Sequence, residues 1–352
     1  MANGARNVPP DARLKIAAEG GDLASVSVTP RTGDDGKSAV EVTGTMDAAR
    51  HTWTAARTFS PATSYVVRVT ADAGGRKTTT STRFTTLTPG TMNRALLAPM
   101  DNQVVGVGMP ITLRFDHPVT DKAAVEKRLT VTSTPKVEGS WGWVRDPLTG
   151  YERVDWRPVT YWPKGARVTV KAGLSGVSTG DGGYLGRDIS TVFTIGTARV
   201  SHVDLATHRL TVTEDGRTVR TLPVSGGDAA HPTYNGTMVV MEKLTEVRMN
   251  SETVGLGHAY DKLVSWTVHL TTSGTYIHAA PWNGPYIGNA NASHGCIGMT
   301  TQNAQWFFDR ARTGDIVTVT GSTGRTLDIG NGFGDWNVSY AQWKQRSALH
   351  VR

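Results

Sequence analysis

The chain has 352 residues, 38% of them apolar and 19% charged, with 39 glycines, 16 prolines and a single cysteine. That length predicts two or three domains of about 100–200 residues each, and the mixture excludes disorder, collagen and coiled coil. No run approaches the ~20 apolar residues of a membrane-spanning helix, and no secretory leader is readable, so any export signal or membrane anchor is expected outside this sequence. One cysteine excludes an internal disulfide, a zinc ribbon or an iron–sulfur site within one copy of the chain. The net charge is +7, yet residues 199–352 carry 13 basic against 12 acidic side chains, so six of the seven excess charges fall in residues 1–198. They are scattered as on an ordinary solvated surface. Nucleic-acid binding wants a clustered basic stripe, so no nucleic acid is expected as a partner. Mild attraction to an anionic surface such as a cell wall is compatible with this charge.

Residues 1–89 read as strands and turns. Ala24–Thr29, Ala39–Thr43 and Tyr65–Thr70 alternate apolar and polar residues and are rich in β-branched side chains. Glycine-rich turns at Gly33–Gly36 and Ala73–Arg76 separate them, and a Thr-rich strand over Thr78–Thr86 runs into the boundary Leu87-Thr88-Pro89-Gly90. A second set follows over residues 90–197: Ile111–Phe115, Leu129–Thr132, Val154–Trp156, Val168–Val170 and Thr191–Ile195. Short strands at this spacing indicate immunoglobulin-like sandwiches. Neither module holds a catalytic constellation, so both read as spacers. Trp141, Trp143 and Trp156 read as core rather than as a carbohydrate- or protein-binding platform.

From Ala198 the texture changes. Val200–Asp204 and His208–Val212 form a hairpin pattern, and strands continue over Thr237–Met241 and Trp266–Leu270. One helix stands out: Ala304, Phe307, Phe308 and Ala311 lie at i, i+3, i+4 and i+7. Thr300 or Thr301 suits its N-cap, Arg310 and Arg312 its last turn, and Gly314 its end. The strand Ile316–Val319 follows. The expected fold is mainly β: immunoglobulin-like modules over 1–89 and 90–197, a mostly β catalytic domain with one main helix over 198–320, and a small C-terminal subdomain over 321–352 packed on it.

Cys296 lies in Ser293-His294-Gly295-Cys296-Ile297-Gly298, just ahead of the helix. A cysteine near a helix N-terminus feels the positive end of the dipole, which favours thiolate. Gly295 permits a tight turn that brings backbone N–H groups near a carbonyl under attack. A thiol nucleophile needs a base. His278 ends the strand Gly274–His278, and His294, two residues from the cysteine, points the same way if that run is extended. Two other readings stand beside this one. Cys296 is a small buried apolar side chain, or His278, His294 and Cys296 hold zinc, although their spacing lacks the paired ligands of common zinc motifs.

Tyr276-Ile277-His278-Ala279-Ala280-Pro281-Trp282, then Ser293-His294-Gly295-Cys296, then Asn303-Ala304-Gln305-Trp306-Phe307 together resemble the signature of the bacterial L,D-transpeptidases, with their YkuD-type catalytic domain. Met249-Asn250-Ser251 and Tyr260 resemble the family's active-site flap. Gly334-Asp335-Trp336-Asn337 with Gln342-Trp343 resembles the C-terminal subdomain of the mycobacterial-type enzymes, which also carry immunoglobulin-like modules. The resemblance implies that Cys296 attacks the carbonyl between the third-position diamino acid and D-Ala of a peptidoglycan tetrapeptide stem. His278 would move the protons, its second ring nitrogen held by the backbone carbonyl of Ala279. Gly295 and Cys296 would supply oxyanion N–H groups, with Tyr260 reaching in from the flap. His294 would shape the loop or the substrate channel. Ser293, Trp282, Met249 and Ala279 complete the implied substrate-binding set.

The implied partners are donor and acceptor stem peptides, with carbapenem β-lactams as inhibitors. No cofactor or metal is implied, and the site of action is the cell envelope outside the cytoplasmic membrane. The same residues serve an L,D-carboxypeptidase, in which water replaces the acceptor amine; a non-catalytic wall-binding protein is the alternative from another class. Two departures stand out: Ala279 replaces a serine common in the family, and Gly298 replaces a frequent asparagine.

Overall fold

Alternation of buried and exposed residues organises nearly every element of the computed structural model, which describes residues 2–31, 41–254, 257 and 261–350. The described chain is mainly β, and its contacts form two compact units: Met1–Leu96, Phe115–Thr130 and Lys171–Ser190 make one, and Leu97–Arg114, Val131–Val170 and Thr191–Arg352 make the other. The second of the two expected strand sets is therefore shared between them.

In the first unit a four-stranded sheet runs in the order Ala5–Val8, Arg76–Thr86, Ser64–Ala73, Asp22–Pro30. A three-stranded sheet of Lys15–Ala17, Thr52–Ala55 and Gly44–Met46 completes an immunoglobulin-like sandwich. Val28, Val67 and Phe84 point inward with Trp53, Phe59 and Tyr65, and Phe59, Tyr65 and Phe84 contact one another ring to ring at 4.9–5.4 Å. The hairpin between the long strands turns on Gly74 and Gly75, both at positive φ (63° and 89°), which other residues adopt only with strain. One expected strand differs. Of Ala39–Thr43, residues 39 and 40 lie outside the described residues, and Glu41–Thr43 is irregular, the strand beginning at Gly44. The turn expected at Gly33–Gly36 also lies outside the described residues.

In the second unit, Gly139–Arg145 and Glu152–Pro158 pair antiparallel, with Trp141, Trp143 and Trp156 buried in the core rather than forming a surface platform. The catalytic portion has two sheets. One runs in the order Arg217–Pro223, Arg209–Glu214, Arg199–Asp204, Ile316–Thr320, Gly236–Val239; the other runs Glu242–Asn250, Asp261–His269, Tyr276–Ala279, Ile297–Met299. Between them lies a core of Val203, Leu210, Val212, Met238, Val268, Ile277, Ile297, Met299, Val317 and Val319, all buried. The helix Thr301–Arg310 adds Ala304 and Phe307 to that core, with Phe308 packed beside them. Its N-cap is Thr300, whose hydroxyl accepts the Asn303 N–H; the helix ends at Arg310, because Ala311 is already extended and Gly314 lies in the turn beyond. Two five-residue helices, Lys122–Glu126 and Tyr340–Lys344, are too short to show a periodic stripe in sequence.

The C-terminal segment packs within the second unit. Trp343 is fully buried and donates its indole N–H to the Ser140 carbonyl at 2.8 Å, over a backbone that only Gly142 permits: a Cβ there would lie 2.8 Å from the Trp343 ring. Arg157 lies against Trp336, Tyr340 and Trp343, and Asn337 accepts the Thr237 N–H. Asp335, fully buried, is held well above the usual carboxylate range, first by burial and then by the charge of Asp155; Arg153 and Arg157 oppose both. Trp343→Ala removes a fully buried tryptophan of this junction. It is expected to cost about 3–5 kcal/mol, read as a clearly lowered thermal midpoint; an unchanged midpoint would show that the segment does not buttress the fold.

Candidate active site

The candidate residues converge because two short strands pair parallel: Ile277 lies opposite Ile297, His278 opposite Gly298 and Ala279 opposite Met299. Successive side chains on a strand face opposite ways. Ile277, Ala279, Ile297 and Met299 take the core face, so His278 is left on the other face. Cys296, two residues before Gly298 and one before the strand, enters from the same end as Tyr276. Burial of the isoleucines thus sets the orientation of the polar pair.

His278 is buried, and its Nδ1 lies 2.8 Å from the Ala279 carbonyl oxygen. A carbonyl only accepts, so Nδ1 carries the proton and Nε2 is left with its lone pair. Burial lowers the imidazole pKa; the Ala279 bond opposes this only in part. The main chain makes this bond, so the methyl side chain of Ala279 does not disturb it.

The Cys296 sulfur is 3.5 Å from the Gly274 carbonyl oxygen, to which the thiol donates. Burial pushes its pKa up to about 11, against a smaller lowering by the Tyr276 backbone N–H. The helix-dipole expectation is corrected here. The strand Ile297–Met299 and the cap Thr300 separate Cys296 from the helix at Thr301, and the macrodipole fades within a turn. Both shifts favour the uncharged forms, so the resting pair is a neutral thiol and a neutral imidazole.

The loop before the cysteine is bent, with Gly295 at φ +117°, so His294 and Cys296 do not share an extended run. His294 is exposed, and its ring lies 4.9 Å from that of His231, which Asp228 holds through both its backbone N–H and Nδ1. Ser293 is buried; its hydroxyl donates to the Cys296 carbonyl at 2.6 Å and accepts the Gly295 N–H at 3.2 Å. Of the two expected oxyanion donors, Gly295 N–H is therefore engaged at rest. Cys296 N–H has no protein acceptor among the described residues.

Trp282, 43% exposed, stacks on His278 with ring centres 6.0 Å apart. Met249 lies on the flap hairpin opposite Lys262, whose ammonium sits 4.6 Å from the Trp282 ring centre. Tyr260 lies outside the described residues. Gly298 approaches closely: a Cβ there would meet the Ala280 Cβ at 3.0 Å, so an asparagine needs its neighbour to give way.

Several neighbours carry no motif signal. Ser225 exchanges backbone hydrogen bonds with Gly298 at 3.0 and 2.8 Å and fixes the strand from its far side. Tyr276 stacks on His269 at 4.2 Å, and burial raises its pKa to about 12, helped by Glu242 and Cys296. Alternation with His278 could have flagged Tyr276; nothing local could have flagged Ser225 or Lys262. Among the described residues no cluster of three or more His, Cys, Asp or Glu side chains is placed to hold a metal ion.

Residues 198–319 match the L,D-transpeptidase catalytic domain, and residues 5–178 match a bacterial Ig domain. The chain is 33% identical to L,D-transpeptidase 2 of Mycobacterium tuberculosis over 99% of its own length and 84% of that protein. It is 34% identical to L,D-transpeptidase 5 of the same organism, over 99% of this chain and 76% of the relative. The solved structure of LD transpeptidase LdtMt1 in complex with imipenem superposes at a TM-score of 0.55 with 33% identity, covering 66% of this chain and 99% of the other. A β-rich domain that presents a histidine from one strand and a cysteine from the residue just before its parallel partner, in a chain that also carries an Ig-like region, defines a transpeptidase of the L,D type. The chain belongs to the L,D-transpeptidase family.

Proposed function

We propose that the protein forms 3→3 cross-links in peptidoglycan through a thioester on Cys296. His278 Nε2 takes the thiol proton as the sulfur attacks the carbonyl between the third-position diamino acid and D-Ala. The C–S bond forms, the C–N bond breaks, and the same proton passes to the departing D-Ala amine. An acceptor amine then gives a proton to His278 and attacks the thioester; the new C–N bond forms as the C–S bond breaks, and His278 returns the proton to sulfur. The Cys296 N–H stabilises the oxyanion, joined by Gly295 once its contact with Ser293 opens. No step needs a cofactor. Met249, Trp282 and Ser293 bound the donor cleft, and His294 lies at its outer edge.

The observation carrying this reading is the tautomer of His278, fixed by the Ala279 carbonyl so that the free nitrogen belongs to a neutral base on the strand paired beside the cysteine loop. The imipenem complex of LdtMt1 supports acylation of this chain by carbapenems, whose strained carbonyl stands in for the amide. The reading places the enzyme outside the cytoplasmic membrane. There the β-modules 1–89 and 90–197 act as spacers, the segment 198–320 catalyses, and 321–352 packs against both it and strands of the 90–197 module.

Incubating purified protein with a tetrapeptide stem, with and without an acceptor stem, and weighing the products tests this. Loss of D-Ala with appearance of a cross-linked dimer is expected. Loss of D-Ala to give only the tripeptide would make the enzyme an L,D-carboxypeptidase. No turnover alongside tight binding to isolated sacculi would make it a wall-binding protein.

A further inference from the structure

Lys262 is an exposed cation on the flap strand Asp261–His269, and its ammonium lies 4.6 Å from the centre of the half-exposed Trp282 ring. That ring in turn stacks 6.0 Å from His278, so the ammonium is separated from the imidazole by at most the sum of these two steps. The adjacent Asp261 is already committed to Arg248 by two hydrogen bonds of 2.9 and 2.8 Å. Among the described residues no carboxylate pairs with Lys262. Its cross-strand neighbour is Met249, which places both on the hairpin that borders the cleft.

Resting on the function proposed above, we propose that Lys262 recognises the terminal carboxylate of the donor stem, the one carried away by the leaving D-amino acid. The leaving amine must come within about 3 Å of His278 Nε2 to receive its proton. Its carboxylate is only two bonds from that amine, and an ammonium–carboxylate contact adds about 2.8 Å. These lengths together are of the order of the separation that the two ring contacts allow between the imidazole and the ammonium. The indole serves as the platform: cation–π attraction holds the flexible lysine against the ring that stacks on His278 and lowers the entropy lost when the substrate anion arrives. A stem lacking a terminal negative charge forfeits this contact.

The test compares donor turnover (kcat/KM) for a tetrapeptide stem ending in free D-Ala and for its D-alaninamide analogue, in wild type, Lys262→Gln and Lys262→Arg. Wild type is expected to prefer the free acid by about tenfold, as befits a solvent-accessible charge-assisted bond. Lys262→Gln is expected to abolish the preference mainly through a higher KM for the acid, while Lys262→Arg keeps most of it. The thermal midpoint of Lys262→Gln, a surface change, verifies folding. A preference that survives Lys262→Gln in the folded variant, or no preference in wild type, overturns the assignment of Lys262 and leaves the transpeptidase reading standing. Absence of turnover of either stem by wild type overturns both.

Discussion

Cys296→Ala is expected to abolish the mass gain of one carbapenem per chain and to reduce transpeptidation by at least about three orders of magnitude, because no other thiol exists to take its place. Wild type incubated with imipenem should gain one adduct, and peptide mapping should place it on the Ser293–Cys296 segment. The side chain is small and Cys296→Ala removes only the sulfur, so the variant should keep a thermal midpoint close to that of wild type, separating chemistry from folding. An adduct on the variant, or an unmodified wild type under conditions where a control L,D-transpeptidase reacts, would remove the sulfur from the mechanism.

The second large effect concerns His278. With the thiol pKa up at about 11, very little thiolate exists at neutral pH, and reaction there depends on the imidazole taking the proton during attack. The imidazole pKa is lowered by burial, so the base is already neutral and competent at pH 7. The signs follow. For wild type, acylation by a carbapenem should rise with pH through the lowered imidazole pKa, below the ordinary histidine value, and then flatten across neutrality. His278→Gln should be slower by about 10²–10⁴-fold and should lose the plateau, its rate climbing about tenfold per pH unit toward the thiol pKa as free thiolate takes over. Pseudo-first-order acylation rates across about pH 5–10 read both profiles. A wild-type rate that keeps climbing like that of the variant would mean that His278 is not the base.

The cysteine's position along the chain suggests the wrong protonation state. Nearness to a helix start in sequence reads as thiolate stabilisation. In space a three-residue strand intervenes, and the sulfur lies against the Gly274 carbonyl, an acceptor that prefers a proton on the thiol. The chemistry is therefore proton transfer on demand rather than a standing ion pair. A neutral pair also has a stability advantage, since a buried charge without a tight partner is costly.

Local periods are legible along the chain: alternation marked most of the strands, the 3.6-residue stripe marked the helix Thr301–Arg310, and the spacing of His278 and Cys296 in their motifs pointed to the family. Those features are written in neighbouring residues, because strand and helix periodicities are properties of a few consecutive side chains. Packing in three dimensions sets which face the pair occupies, since that depends on Ile277 and Ile297 being drawn together into one core from positions twenty residues apart. It alone turned Gly295 to positive φ and sent His294 to His231, brought Ser225 against Gly298, and seated Lys262 over Trp282. It alone set the protonation states of the thiol and the imidazole, because desolvation acts through whatever surrounds a group in space, and no spacing along a chain records that.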